Sequence, residues 1–297
     1  MSDPEFLFRC GRRISVSVHT RTFQRRFNLS LQPPAHSVHT HDSSINDNMT
    51  SAAATTSSLP PDLFDSTTLV SLASTVLILA VAYGTSLKVL SPSTPGSYRF
   101  LFIWHLFDAG IHFFLEGSFL YHCFFSWKSL DQISALQAQS AYPTQRGYLG
   151  HDDRIWGPQA AGNNPFAQLW MVYAKADKRW AGADTGVISL ELLTVLVVGP
   201  LACLVCYDIA KKNPRSNIIM TIVATAEIYG GFMTFAPEWL TGNQWLDGSN
   251  FVYMWLYLVF FNMLWVFIPF YALYVSWGAF STAFAAQSAK ATVKKSK

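Results

Sequence analysis

The sequence predicts an all-α integral membrane protein, with five transmembrane helices bundled around an interior ligand cavity. Three observations predict this. Only 13 % of the 297 residues are charged and 51 % are hydrophobic, whereas a soluble domain carries about a quarter charged residues. The apolar residues gather in five runs of about 19–27 residues, the length an α-helix needs to cross a ~30 Å hydrocarbon core. Ionisable side chains recur inside these runs at helical spacing, where a membrane tolerates them only when they face an interior.

The elements follow in order. Residues 1–48 hold Arg9, Arg12, Arg13, Arg21, Arg25 and Arg26, many serines and threonines, and no lysine. This composition admits a transit peptide; the preferred reading is a disordered extension preceding an initiation at Met49, with His36, His39 and His41 part of that tail. Residues 49–66 are a short polar lead-in to a membrane domain over 67–278. The runs span 67–89, 100–125, 187–209, 218–236 and 251–277. Their backbone polar groups must be satisfied internally in lipid, so all five are helices. Pro200 and Pro269 fall inside the third and fifth and should kink them.

Between the second and third runs lies a long loop, 126–186. Its first part, Ser129 to Asn163, is polar and punctuated by Gly and Pro, as a surface excursion would be. Its second part, PFAQLWMVYAKADKRW from Pro165 to Trp180, mixes aromatic and basic residues in the manner of a membrane-interface segment. Lys211, Lys212 and Arg215 follow the third run, and residues 279–297 form a lysine-rich tail. Residues 237–250 carry no Lys or Arg. The positive-inside rule therefore places the C-terminus in the cytosol and loop 126–186 in the lumen. Six arginines at the N-terminus would contradict that side, hence the preference for Met49. Lys294-Lys295-Ser296-Lys297 has the dilysine spacing of an endoplasmic reticulum retrieval signal.

A net charge of +3 and a pI near 8.6 are too mild for a nucleic-acid partner. Cys10, Cys123, Cys203 and Cys206 make no disulfide framework, and the Cys203/Cys206 pair lacks a second pair for zinc.

The second run carries His105, Asp108, His112 and Glu116. Positions 108, 112 and 116 form a slowly drifting stripe on one helix face. For His105 and Asp108, near the start of the run, the bland alternative is that they are simply solvated. Glu191 and Thr194 share a face of the third run, Glu227 lies in the fourth, and Asn262 and Trp265 share a face of the fifth. Each single polar group could be a helix–helix hydrogen bond, but His112, Glu116 and Glu191 together have little structural justification. A carboxyl in a dry cavity can act as a proton donor, imidazole can relay a proton, and an indole face stabilises a cation. The set suits protonation of an alkene, passage through a carbocation, and loss of a neighbouring proton. A metal on Asp108, His112 and Glu116 is disfavoured because no histidine box accompanies them, so no metal and no cofactor are expected.

These residues sit in GIHFFLEG (110–117), QLWMVYAKADKRW (168–180), ELLT with Gly199-Pro200 (191–200), EIYGG (227–231) and FFNMLW (260–265). Together the five ordered motifs resemble the emopamil-binding protein family, which includes the 3β-hydroxysteroid Δ8,Δ7-isomerase and belongs to the EXPERA group, over a core of about 99–275. The resemblance implies a sterol double-bond isomerase of the endoplasmic reticulum membrane. It implies catalytic His112, Glu116 and Glu191, with Thr194, Asn262, Trp265 and Glu227 binding substrate or stabilising the cation. Sterol substrate from the bilayer and amphipathic amine inhibitors are the implied ligands, and a homodimer the candidate assembly. Three departures bear on the substrate more than on the reaction type. Loop 129–163 is an insertion; Glu227 replaces a glutamine and Gly231 an acid; Asp108 and His105 have no counterpart. Rival readings are the same shift on another steroid or terpenoid, and a non-catalytic sterol- or amine-binding protein.

Residues 1–48 contribute neither a span nor a cavity residue. Protein initiated at Met49 is expected to keep full turnover and the same location, checked by fractionation and activity assay. Loss of either on truncation would favour the transit-peptide reading.

Overall fold

The computed structural model describes residues 66–295. The reading of 1–48 and nearly all of the 49–66 lead-in lie outside these residues, as do Cys10 and the three histidines of the tail.

Helix α1 (Ser66–Val89) turns most of its apolar surface outward, with Leu77, Val81 and Leu87 more than half exposed. A sheath of exposed aliphatic side chains on a helix this long suits lipid and not water. The second run is helical throughout: α2 (Gly96–Gly110), a π-helical turn Ile111–Glu116, then α3 (Gly117–Phe125). The third run is likewise α6 (Thr185–Leu193), a π turn Thr194–Val198, then α7 (Gly199–Ala210). The fourth is α8 (Arg215–Leu240), continuous through Pro237. The fifth is a π segment Tyr253–Phe260 leading into α9 (Phe261–Lys295).

Among the described residues, four helices are long and apolar enough to cross a membrane: 66–89, 185–210, 215–240 and 253–292. The chain is an all-α membrane protein; the expected count of five is not reached on that criterion. The second run falls short because His105, Asp108, His112 and Glu116 dilute its apolar character, and the fold turns three of the four wholly inward. The tail expected over 279–297 is instead a continuation of α9 as far as Lys295, as its alanine-rich sequence favours. Pro200 sits in the first turn of α7, directly after the π turn and inside a continuous helical run, where its missing N–H removes one bond from the ladder.

Helices α2, α7, α8 and α9 pack around Leu101, Phe102, Val205, Met220, Val223 and Ala272, all buried. A second core joins α3 to the long loop, and corrects two expectations. Residues 129–163 are not a free excursion. Strands β1 (Trp127–Ser129) and β2 (Arg154–Trp156) pair antiparallel around the short helix α4 (Ala135–Ser140) in the chain between them, and Tyr142, Tyr148 and Trp156 are buried beside Phe119 and Cys123. The Tyr148 hydroxyl donates to the Cys123 carbonyl at 3.0 Å, and that of Tyr142 to Asp184 at 2.6 Å. Burial and that carboxylate push the Tyr142 phenol far above its usual range. Gly157, at φ +97°, lies so close to the Gly182 backbone that a Cβ would stand 2.7 Å from it, so only glycine lets the loop close.

The Pro165–Trp180 segment is not an interface belt either. It forms helix α5 (Pro165–Tyr173), capped by Asn164, and Trp170 and Trp180 stack at 4.8 Å inside the protein. Arg179 locks it in place. Its guanidinium grips Asp177 through two hydrogen bonds (2.9 and 2.7 Å), donates to the Thr234 carbonyl at 2.8 Å, and lies 3.8 Å from Glu238. Burial opposes the charge, but the hydrogen bonds and field of Asp177 outweigh it and raise the Arg179 pKa.

Arg179→Ala would strand Asp177 and Glu238 as buried, uncompensated acids. Losing one partner of a buried pair costs about 3–5 kcal/mol. The variant should unfold at clearly lower temperature in detergent than wild type, while Lys290→Ala, on the exposed end of α9, should not.

Candidate active site

All five helical runs and α5 wall a cavity of about 210 Å³, whose lining includes His112, Glu116, Glu191, Thr194, Glu227, Asn262 and Trp265. All seven residues singled out from sequence therefore face one space.

Glu116 is the junction. Its Oε2 lies 2.6 Å from His112 Nδ1 and 2.7 Å from the Thr194 hydroxyl, which comes from the opposite helical run. Thr194 Oγ1 is also 2.9 Å from Glu191 Oε2 and 3.1 Å from the Glu191 carbonyl. One hydroxyl hydrogen serves one acceptor well at a time. The two carboxyls are thus bridged by a single hydroxyl.

Local winding makes this convergence possible. In a regular α-helix a residue four positions on is rotated by about 40°, so the 108–112–116 stripe would drift away from the cavity. The wider winding of Ile111–Glu116 rotates it back. Thr194 opens the second π turn. The third sets the Tyr257 and Leu258 carbonyls to accept from the Asn262 amide at 2.9 and 3.0 Å. Gly199 completes the approach: a Cβ there would stand 3.1 Å from the Phe113 ring and 3.4 Å from His112 Cβ.

The structure corrects the reading of His105 and Asp108 as solvated, for they are 1 % and 0 % exposed. His105 Nδ1 is taken by the Leu101 carbonyl at 2.7 Å, a structural bond within the helix. Asp108 belongs to the site. Its Oδ1 accepts from Trp265 Nε1 at 2.8 Å and lies 3.1 Å from His112 Nε2. Trp265, also packed on Trp104 at 5.3 Å, is held with a fixed face on the cavity. Its spacing from His112 was the signal in the sequence that Asp108 belonged with the stripe. Asn262 reaches the cavity wall but not the acids; its other partner is the Tyr173 hydroxyl at 3.1 Å. Tyr173, Trp170 and Trp180 also line the cavity and were not anticipated as site residues.

Among the described residues, the donor set near enough for a metal is Asp108, His112 and Glu227, with one potential ligand atom of each within 4.8 Å of the others. It differs from the Asp108–His112–Glu116 set weighed from sequence, since Glu116 takes the other face of the imidazole.

An α-helical membrane protein with two carboxyls bridged by one hydroxyl in a largely apolar internal cavity is the class that fold and site define. Residues 165–276 match the model of the EXPERA family, the EXPanded EBP superfamily. The resemblance to the emopamil-binding protein family holds over that region, and GIHFFLEG lies ahead of it. The chain is 33 % identical over 122 residues (41 % of its length, 52 % of the relative) to the 3-beta-hydroxysteroid-Delta(8),Delta(7)-isomerase of Cavia porcellus. It is 33 % identical over 103 residues (35 % and 45 %) to the probable enzyme of that name in Arabidopsis thaliana. It is 32 % identical over 106 residues (36 % and 49 %) to isomeliandiol synthase of Melia azedarach. The chain spans about half the length of these curated relatives.

Thr194→Val keeps the side-chain volume but leaves Glu116 and Glu191 without their bridge. Turnover should fall on the order of 10- to 100-fold, with a stability loss no larger than the about 1–3 kcal/mol of an unmade buried hydrogen bond, read by pairing an activity assay with a melting curve.

Proposed function

We propose that this protein is a membrane-embedded sterol isomerase that moves a ring double bond from C8–C9 to C7–C8. The observation that carries the proposal is the Thr194 hydroxyl standing within hydrogen-bond reach of both Glu116 and Glu191 in the cavity wall. The shift adds one proton at C9, leaves a cation at C8, and removes one proton from C7. Atoms and electrons balance without a redox partner, so the reaction needs no cofactor.

The acid pair supplies the donated proton, and His112, 2.6 Å from Glu116, assists its transfer. The face of Trp265 and the carboxylate left behind stabilise the cation, in a cavity that screens them little. Thr194 orients the acids, and Asn262 with Glu227 contacts the substrate body. A lipid-soluble substrate enters from the bilayer, and amphipathic amines, which imitate the cation, inhibit. The names of the mammalian and plant relatives support this reading. The relative named isomeliandiol synthase supports a second, in which the same shift acts on a terpenoid.

The proposed location is the endoplasmic reticulum membrane with a cytosolic C-terminus, on the strength of the dilysine spacing and the loop charges. A homodimer is the proposed assembly.

The test pairs isomerisation of a Δ8-sterol with binding of a tertiary amine and a neutral sterol. Wild type should form the Δ7 product. Glu191→Gln should abolish turnover and weaken amine binding while neutral sterol still binds; Trp265→Leu should weaken the amine more than the sterol. Normal turnover by Glu191→Gln would remove the proton-transfer role. Amine binding without turnover of any sterol or terpenoid would make the protein a binding protein.

A further inference from the structure

Helix α8 enters the cavity wall with glycine at two adjacent interior positions, Gly230 and Gly231. Glycine weakens a helix interior relative to alanine, so a pair of them there calls for a reason. The common reasons are absent. Neither residue has a positive φ, α8 runs unbroken from Arg215 to Leu240, and a Cβ on either would meet nothing within 4 Å. Gly110 and Gly199 are the contrast. A Cβ at Gly110 would stand 2.5 Å from the Ile78 side chain, and one at Gly199 3.1 Å from the Phe113 ring, so close helix packing accounts for both.

The open space beside Gly230 and Gly231 is the cavity itself. Ala226, Glu227, Gly230, Gly231 and Thr234 recur at helical spacing on one face of α8, and all five line the cavity. At 1.5 Å of rise per residue, Gly231 lies about 6 Å along the helix from Glu227. The backbone around the pair is already engaged. The Thr234 hydroxyl donates to the Gly230 carbonyl at 2.9 Å, and Arg179 donates to the Thr234 carbonyl at 2.8 Å. What remains on offer is room for apolar atoms, in a lining that also includes Leu72 of α1 and Phe261 of α9.

We infer that Gly230 and Gly231 are specificity-determining residues: the side-chain-free patch they leave on α8 seats a bulky apolar substituent of the polycyclic substrate, one helical turn from Glu227. A geminal dimethyl group on the ring system fits, because methyls standing off the ring plane fill the volume that two missing side chains leave. A side chain at either position would take that volume, so a substrate carrying the substituent would clash and one lacking it would not. The inference rests on the reading of the cavity as a steroid isomerase site and adds the residues that set the width of the body it admits.

The test uses two Δ8-sterols that differ only by a geminal dimethyl group on a ring, with purified wild type, Gly231→Ala and Gly231→Leu. Each ligand is followed by kcat/KM and by competition with a labelled tertiary amine. Wild type is expected to accept both. The ratio of substituted to unsubstituted ligand should fall from wild type through Gly231→Ala to Gly231→Leu, by about tenfold or more in the last, in turnover and binding alike. Neither variant should melt below wild type, because the new side chains meet open space and favour the helix. Gly84→Leu, on α1 and also beside open space but outside the cavity lining, should leave the ratio unchanged. A ratio unmoved in Gly231→Leu, or moved as far by Gly84→Leu, would overturn the inference. So would a wild type that excludes the dimethyl ligand, or a Gly231→Ala that melts clearly lower, which would make the glycine a packing residue. Failure of wild type to turn over either ligand would count against the isomerase reading alone, since the binding ratio still tests the patch; turnover with an unmoved ratio would remove the patch alone.

Discussion

The Glu116 carboxylate receives hydrogen bonds from two helical runs at once, from His112 on its own and from Thr194 on the neighbouring one. Much of the bundle serves that meeting. A charged or proton-sharing group in a bilayer is tolerated when other polar groups surround it, and the chain provides them from opposite sides. Asp108 lies behind His112, Glu191 shares Thr194, and Trp265 is tethered to Asp108. Each polar group is thereby a tie between helices as well as a part of the chemistry. Lipid tails give helices little hydrophobic reason to associate, so such ties contribute to the bundle's specificity.

The three π segments carry the site. An i→i+5 turn inside an α-helix displaces the side chains that follow it and frees backbone groups from their regular partners. Here the first turn contains His112 and Glu116, the second begins with Thr194, and the third ends two residues before Asn262. The third also uses its altered carbonyls directly, as acceptors for the Asn262 amide. Non-regular winding of this kind survives in a membrane where it faces protein or a cavity, as it does here.

The loop between α3 and α6 forms one end of the cavity instead of decorating the surface. Stacked Trp170 and Trp180 close the wall beside Phe119, and Arg179 clamps that wall to α8 through Thr234 and Glu238. Main-chain bonds from Lys178 to Trp245 and from Asp247 to Ala176 add a second fastening to the α8–α9 connection. The wall of Trp170 and Trp180 and the acid pair are therefore held by separate sets of bonds.

Sequence by itself determined the membrane class, the helical runs to within a few residues except for the C-terminal extension of the fifth, and seven of the residues that meet in the cavity. Apolar length and helical spacing are local properties, and a bilayer penalises every buried charge that lacks a purpose. What sequence did not determine was which acid faces which. His105 and Asp108 have the same composition signal, seven and four residues ahead of His112, yet one bonds the backbone of its own helix and the other anchors Trp265. The π turns were not legible either, because a one-residue change of winding leaves the hydrophobic pattern nearly intact. The loop aromatics read as interfacial because Trp and Tyr beside Lys and Arg fit a headgroup region as well as a buried wall. Only the tertiary structure decided between them, by giving Arg179 the buried acids and carbonyl it needed to come in from water.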